Sequence, residues 1–108
     1  MKIVNAFSLN MLEKFPVIIE VKEVPEDWVK ELDCFESYIG HETTAMILSE
    51  KLGKEIKFNR ATLKIDKGEI LVVQLMGERK EYREMSAEEV RKYPIRYFLV
   101  SVSPIKEV

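Results

Sequence analysis

The chain has one cysteine, Cys34, one histidine, His41, and one glutamine, Gln74. A single cysteine cannot close an internal disulfide and excludes a Cys-based zinc site. One histidine and only three aspartates offer few clusters of metal ligands. No apolar run approaches the roughly 20 residues that a membrane span needs. The N-terminus, MKIVNAFSLNML, has no basic region followed by an apolar stretch and a small-residue cleavage site, so no signal peptide is expected. An intracellular setting follows as the default for a protein with so little cysteine. The chain also carries no Walker loop, dinucleotide fingerprint, HExxH motif or nucleophile elbow. No internal repeat, low-complexity tract or linker interrupts it.

What is there suffices for one core. The 108 residues are 46% hydrophobic and 33% charged, which predicts a single domain over 1–108. A domain of this size buries only about two-thirds of its unfolded surface, so a dimer interface would supplement the core. The net charge is −2. A protein that coats duplex DNA through its overall field is normally basic, so no stable duplex DNA partner is expected. Any anionic ligand must be held by a local group of basic and amide side chains. Lys and Glu are abundant, a balance common in proteins from hot environments.

Periodicity predicts about five strands and three helices. Lys2 to Phe7 reads as a strand, and Ser8 to Phe15 as a helical turn capped by Ser8, with Leu9 and Leu12 inward. Pro16 precedes a β-branched strand, Val17 to Val21. Pro25 suits the first position of a short helix, PEDWVKEL. In AMILSEKLG, Ala45, Leu48 and Leu52 share one helical face and Gly53 ends the helix, which places His41 at or just before its N-terminus. Arg60 to Asp66 alternates like a half-buried strand, Lys67-Gly68 reads as a turn, and Glu69 to Met76 as a buried strand, together a hairpin. Gly77 to Met85 is a charged loop. Ser86 and Glu89 form a capping box that opens a short helix. Ile95 to Val102 is the last strand, bounded by Pro94 and Pro104. The expected architecture is α/β, a single mixed sheet of about five strands flanked by helices.

Each candidate residue has a bland and a functional reading. His41 is either a surface or capping imidazole, or a proton donor, since only histidine titrates near neutral pH unaided. Amides at a helix start favour an anion such as phosphate. The positive helix end disfavours imidazolium, whereas a bound phosphate favours it. Asn5, Ser8 and Asn10 serve turns and caps everywhere, or hydrogen-bond a nucleotide. Arg60 and Arg79 are solvated surface, or phosphate ligands suited by the planar fork of arginine. Nothing local marks Glu81 among sixteen glutamates. Gln74 lies in an apolar strand, where either the core or a ligand must pair its amide. Cys34 reads as a small core hydrophobe.

Four segments in order are more specific than any one of them: VNAFSLNML (Val4 to Leu12), YIGHETTAMILSEKLG (Tyr38 to Gly53), FNR (Phe58 to Arg60) and LVVQL (Leu71 to Leu75). Together they resemble the type III anti-CRISPR, or viral ring nuclease, family, from about Lys2 to Val102. The resemblance implies a metal-independent, phosphorus–oxygen lyase type of enzyme with no cofactor. Such enzymes degrade cyclic tetra-adenylate and so silence type III CRISPR effectors in the cytoplasm, that of the host cell for a virus-encoded member. A ribose 2′-hydroxyl attacks the adjacent phosphodiester, leaving a 2′,3′-cyclic phosphate and a 5′-hydroxyl. The family acts as a homodimer with the cyclic ligand across the two-fold axis, which gives linear di-adenylate.

By the same resemblance His41 is the general acid. Asn5, Ser8 and Asn10 hold bases and ribose, Thr43 contacts a phosphate or adenine, and Arg60 and Gln74 are ligand contacts. The family pattern places its arginine and glutamate on Arg79 and Glu81, the arginine one position out of register, and Tyr82 stands where glycine is usual. Glu78 and Glu84 are alternatives for the acid. Two other functions fit the sequence: a protein that sequesters the cyclic nucleotide without cutting it, and a small viral DNA-binding protein.

Overall fold

The computed structural model describes residues 1–106. Its elements run β1 (Lys2–Val4), β2 (Val17–Val24), α1 (Glu26–Lys30), β3 (Glu36–Tyr38), α2 (Glu42–Leu52), β4 (Gly68–Leu75), α3 (Ala87–Lys92) and β5 (Ile95–Pro104), with 3-10 turns at Leu9–Met11 and Tyr82–Glu84. The five strands form one mixed sheet in the order β2-β5-β4-β1-β3. β2, β5 and β4 are antiparallel neighbours, whereas β4, β1 and β3 run parallel. The expected α/β architecture with helices against a single sheet is the one observed.

Strand alternation divides the core. Ile3, Leu71, Val73 and Tyr97 face α1 and α2, where they meet Val29, Ala45, Leu48 and Leu52. Val4, Ile70, Val100 and Val102 face the other way and are covered by loops, through Met11, Leu12, Leu63 and Ile65. Gly53 ends α2 with φ at 66°, the left-handed conformation that glycine adopts without steric cost. Ser86 Oγ accepts the Glu89 amide at 3.1 Å and caps α3.

Several expectations need correction. Residues 60–66 form no strand and no hairpin with β4, because both edges of β4 are already taken by β1 and β5. Leu63 and Ile65 instead lie buried as a flap on the sheet, with a single parallel bridge from Leu12 to Ile65. The fifth strand is β3, whose polar Glu36 and Ser37 give no apolar alternation to read. The first strand stops at Val4. Leu9 is 68% exposed, because one 3-10 turn directs Met11 and Leu12 inward in its place. Pro25 is the N-cap of α1, one position before its first residue. Cys34 is exposed between α1 and β3, not part of the core. Gln74 is exposed near the end of β4, so no buried amide needs pairing there.

Candidate functional site

The site grows from the place where the parallel strands β1 and β3 end beside β4. Val4 of β1 is paired with both Tyr38 of β3 and Val72 of β4, so the segments after β1 and β3 leave the sheet side by side, while β4 runs on to Leu75 beside β5. Carboxyl ends of parallel strands are where open α/β sheets present their ligand crevices. Here the chain passes from β3 to α2 within Ile39, Gly40 and His41. His41 is the N-cap of α2, extended at φ −124° and ψ 124°, with its imidazole exposed and its carbonyl accepting the Ala45 amide at 3.0 Å.

Other candidates converge on this junction. Asn5 Oδ1 accepts the Gly40 amide at 2.9 Å. Arg60 Nε donates to the Gly40 carbonyl at 3.3 Å, and its guanidinium lies 5.5 Å from the Phe58 ring centroid. That contact occupies only Nε, which leaves the two terminal nitrogens of the fork for an anion. Thr43 sits half-buried in the first turn of α2. Asn5, His41, Thr43 and Arg60 are therefore one neighbourhood, assembled from three separate stretches of sequence.

Among the described residues no hydrogen bond or ion pair joins the remaining candidates to it. Ser8 and Asn10 are exposed in the loop after β1, where the Asn10 carbonyl accepts Lys64 Nζ at 2.6 Å. Gln74 follows Val72 along β4 toward the same end of the sheet, opposite Arg96. Arg79 and Glu81 are both exposed, and Glu81 is ion-paired with Arg83 at 2.7 Å. Among the described residues no hydrogen bond or ion pair joins either to His41 or Arg60. Their loop is pinned at other points. Tyr82 donates its hydroxyl to Glu50 Oε2 at 2.6 Å, and Tyr93 donates to the Glu78 carbonyl at 2.9 Å. The Glu50 carboxylate, with some burial, pushes the Tyr82 hydroxyl above its usual pKa. Gly77 lets the loop pass the Tyr93 ring, since a Cβ there would lie 2.8 Å from it.

A groove of about 550 Å³ runs along the exposed side of α2. Glu42, Met46, Ile56, Phe58 and Tyr82 line it, so its walls come from chain neighbours of His41, Arg60 and Glu81. Among the described residues no three His, Cys, Asp or Glu side chains gather into a metal-binding cluster. Among them, too, no helix is long and apolar enough to cross a membrane.

Asn59 was not singled out from the sequence, although it lies inside the FNR triplet. Its Nδ2 donates to the Ser37 carbonyl at 2.8 Å, its Oδ1 accepts the Ala61 amide at 3.0 Å, and its own amide donates to the Ile39 carbonyl at 2.8 Å. It thereby ties the segment carrying Arg60 to the end of β3. The only signals in the sequence are its position beside Arg60 and its aptness for a local turn onto Ala61, since the Ser37 and Ile39 partners, 20 or more residues away, leave no local pattern.

A family model described as STIV B116-like matches residues 1–99. The structure is similar to B116 of Sulfolobus turreted icosahedral virus, with a TM-score of 0.77 and 26% sequence identity over 93% of this chain and 97% of that one. No curated protein matches the sequence.

Proposed function

The chain belongs to the STIV B116-like family, and from that premise we propose that it is a metal-independent ring nuclease acting on cyclic tetra-adenylate. The observation that carries this reading is the junction at Gly40. There a single histidine begins a helix of eleven residues, and an arginine whose terminal nitrogens have no partner among the described residues is fastened to the preceding peptide. A helix start and an arginine fork together suit a phosphodiester, and an imidazole beside it suits proton transfer to a leaving oxygen.

The chemistry balances without a cofactor. The ribose 2′-oxygen attacks phosphorus while Glu81 accepts its proton. The bond from phosphorus to the 5′-oxygen breaks while the His41 imidazolium supplies the proton to that oxygen. Arg79 offsets the charge that builds on the phosphoryl oxygens. Ser8, Asn10, Thr43, Arg60 and Gln74 hold bases, ribose and phosphate, while Asn5, expected beside them, has its Oδ1 on the Gly40 amide. A two-fold homodimer presents the junction twice, matching the two-fold pattern of a cyclic tetranucleotide, so that two cuts release linear di-adenylate. In a cell this would remove the second messenger of type III CRISPR defence.

A second reading is a protein that captures the ring without cutting it. The Arg83–Glu81 ion pair favours it, because that pair already occupies the carboxylate assigned to the 2′-hydroxyl. Labelled cyclic tetra-adenylate incubated with the protein, with and without EDTA, separates the readings by chromatography. Linear di-adenylate ending in a 2′,3′-cyclic phosphate is expected under both conditions. An intact ring that co-elutes with the protein supports capture. An intact ring that does not co-elute contradicts both readings, and loss of cleavage in EDTA contradicts the metal-independent mechanism.

A further inference from the structure

Between β3 and α2 the backbone leaves the sheet before the helix can pair it, so each polar group there must find a partner elsewhere. Partners are found for a consecutive series of them. The Ile39 amide donates to Ser37 Oγ at 3.1 Å, and the Ile39 carbonyl accepts the Asn59 amide at 2.8 Å. Asn5 Oδ1 takes the Gly40 amide at 2.9 Å, and Arg60 Nε reaches the Gly40 carbonyl at 3.3 Å. All four contacts precede His41, the residue assigned to protonate the leaving oxygen.

We infer that Asn5 and Asn59 are positioning residues, which fix His41 rather than touch the ligand: the Asn5 side chain holds the Gly40 amide, and the Asn59 side chain, on the Ser37 carbonyl, holds the segment whose main-chain amide meets Ile39. Asn59 is committed on both sides of its amide, to the Ser37 carbonyl and the Ala61 amide, and so has little left to offer a nucleotide. Asn5 binds across 35 positions of sequence to the peptide that sets the direction of the chain into His41. Arg60 then has two roles: Nε secures Gly40, while its terminal nitrogens face the ligand chemistry. Anion binding at Arg60 and the placement of His41 are thereby coupled through one carbonyl.

This rests on the proposed nuclease reading, and the test separates the two. Asn5→Ala, Asn5→Asp and Asn59→Ala are compared with the wild type in three measurements: Gly40 amide exchange in the free protein, affinity for cyclic tetra-adenylate, and single-turnover cleavage at saturating ligand. Asn5→Ala is expected to speed Gly40 exchange most, since it removes the acceptor of that amide, and Asn59→Ala to speed it less, by loosening the segment that carries Arg60. They should also slow cleavage by roughly tenfold to a hundredfold, the usual consequence of misplacing a reacting group. Affinity should change by no more than about threefold, as for an interaction that acts on the chemical step alone. Asn5→Asp keeps an oxygen that can accept the Gly40 amide, so it should restore slow exchange and most of the rate. If Asn59→Ala does not fold, the two Asn5 variants carry the comparison. Alanine variants that cleave at the wild-type rate but bind more weakly overturn the positioning role and leave the nuclease reading standing. A wild type that leaves the ring intact overturns both.

Discussion

The two halves of the sheet are built by different means. On one side, β2, β5 and β4 form an antiparallel ribbon with eight residue pairs at each interface. On the other, β1 and β3 contribute three residues each, and the parallel pairs are only three residues long. The ribbon is held by its ladder and by alternating apolar side chains. The parallel end is held by side chains that reach backbone groups far away in sequence, from Asn5, Ser37, Asn59 and Arg60. Stability therefore resides mainly in the ribbon and the core beneath it, and placement of functional groups in the parallel end. Substitutions in the first region should change unfolding and spare ligand handling, and substitutions in the second should do the reverse.

The largest effect should come from the strand that joins the halves. Leu71 is fully buried in β4, between Ile3 of β1 and Leu99 of β5. Leu71→Ala should lower unfolding free energy by about 2–5 kcal/mol in denaturant titrations, with cleavage by the folded fraction unchanged. Next is Arg60→Ala, which should weaken ligand binding by roughly tenfold to a hundredfold, the range of a lost charge-assisted hydrogen bond. Lysine there should not restore affinity, since it lacks the fork. A thermal midpoint that falls as far as that of Leu71→Ala would erase the distinction between the halves. Ser86→Ala removes the cap of α3 in the ribbon's connection and should cost about 1 kcal/mol by denaturant titration without altering affinity.

The smallest effect concerns acid. Arg96 grips Glu23 with two hydrogen bonds, of 3.1 and 2.8 Å, and holds its carboxyl below the usual carboxylate range. The unfolded chain binds that proton more readily than the native one. The pair's contribution is thus present above the ordinary carboxylate range and fades as pH falls through the lowered native value. Arg96→Gln should make the thermal midpoint slightly less sensitive to acid between about pH 6 and pH 3. An unchanged acid limb would show the pair to be a solvated surface contact.

The same division governs what could be read from the sequence. The ribbon was legible because β-branched Val17, Ile18, Ile19 and Val21 follow Pro16, because Pro94 and Pro104 bound the last strand, and because Gly53 and Ser86 punctuate the helices. His41 could be placed for the same reason, since the helix it begins has a regular apolar face. β3 was not legible, as two of its three residues are polar and its pairing is with a strand more than 30 positions away. Arg60 to Asp66 shows the opposite error. Leu63 and Ile65 alternate with Lys64 as a strand would, but a burial period is not a hydrogen-bonded partner. Within the site, the types and order of Asn5, His41 and Arg60 were visible, whereas the peptide that unites them, and Asn59 behind it, belong to tertiary structure. Arg79 and Glu81 lie in a loop whose anchors, Tyr82 on Glu50 and Tyr93 on the Glu78 carbonyl, have no sequence signature either.

The most direct test of the account is single-turnover cleavage of cyclic tetra-adenylate by the wild type and by His41→Ala, with the affinity of each measured alongside. A general acid contributes on the order of 10²–10⁴-fold. The account predicts a loss of that size for His41→Ala with affinity nearly unchanged. Cleavage by His41→Ala at the wild-type rate would contradict it.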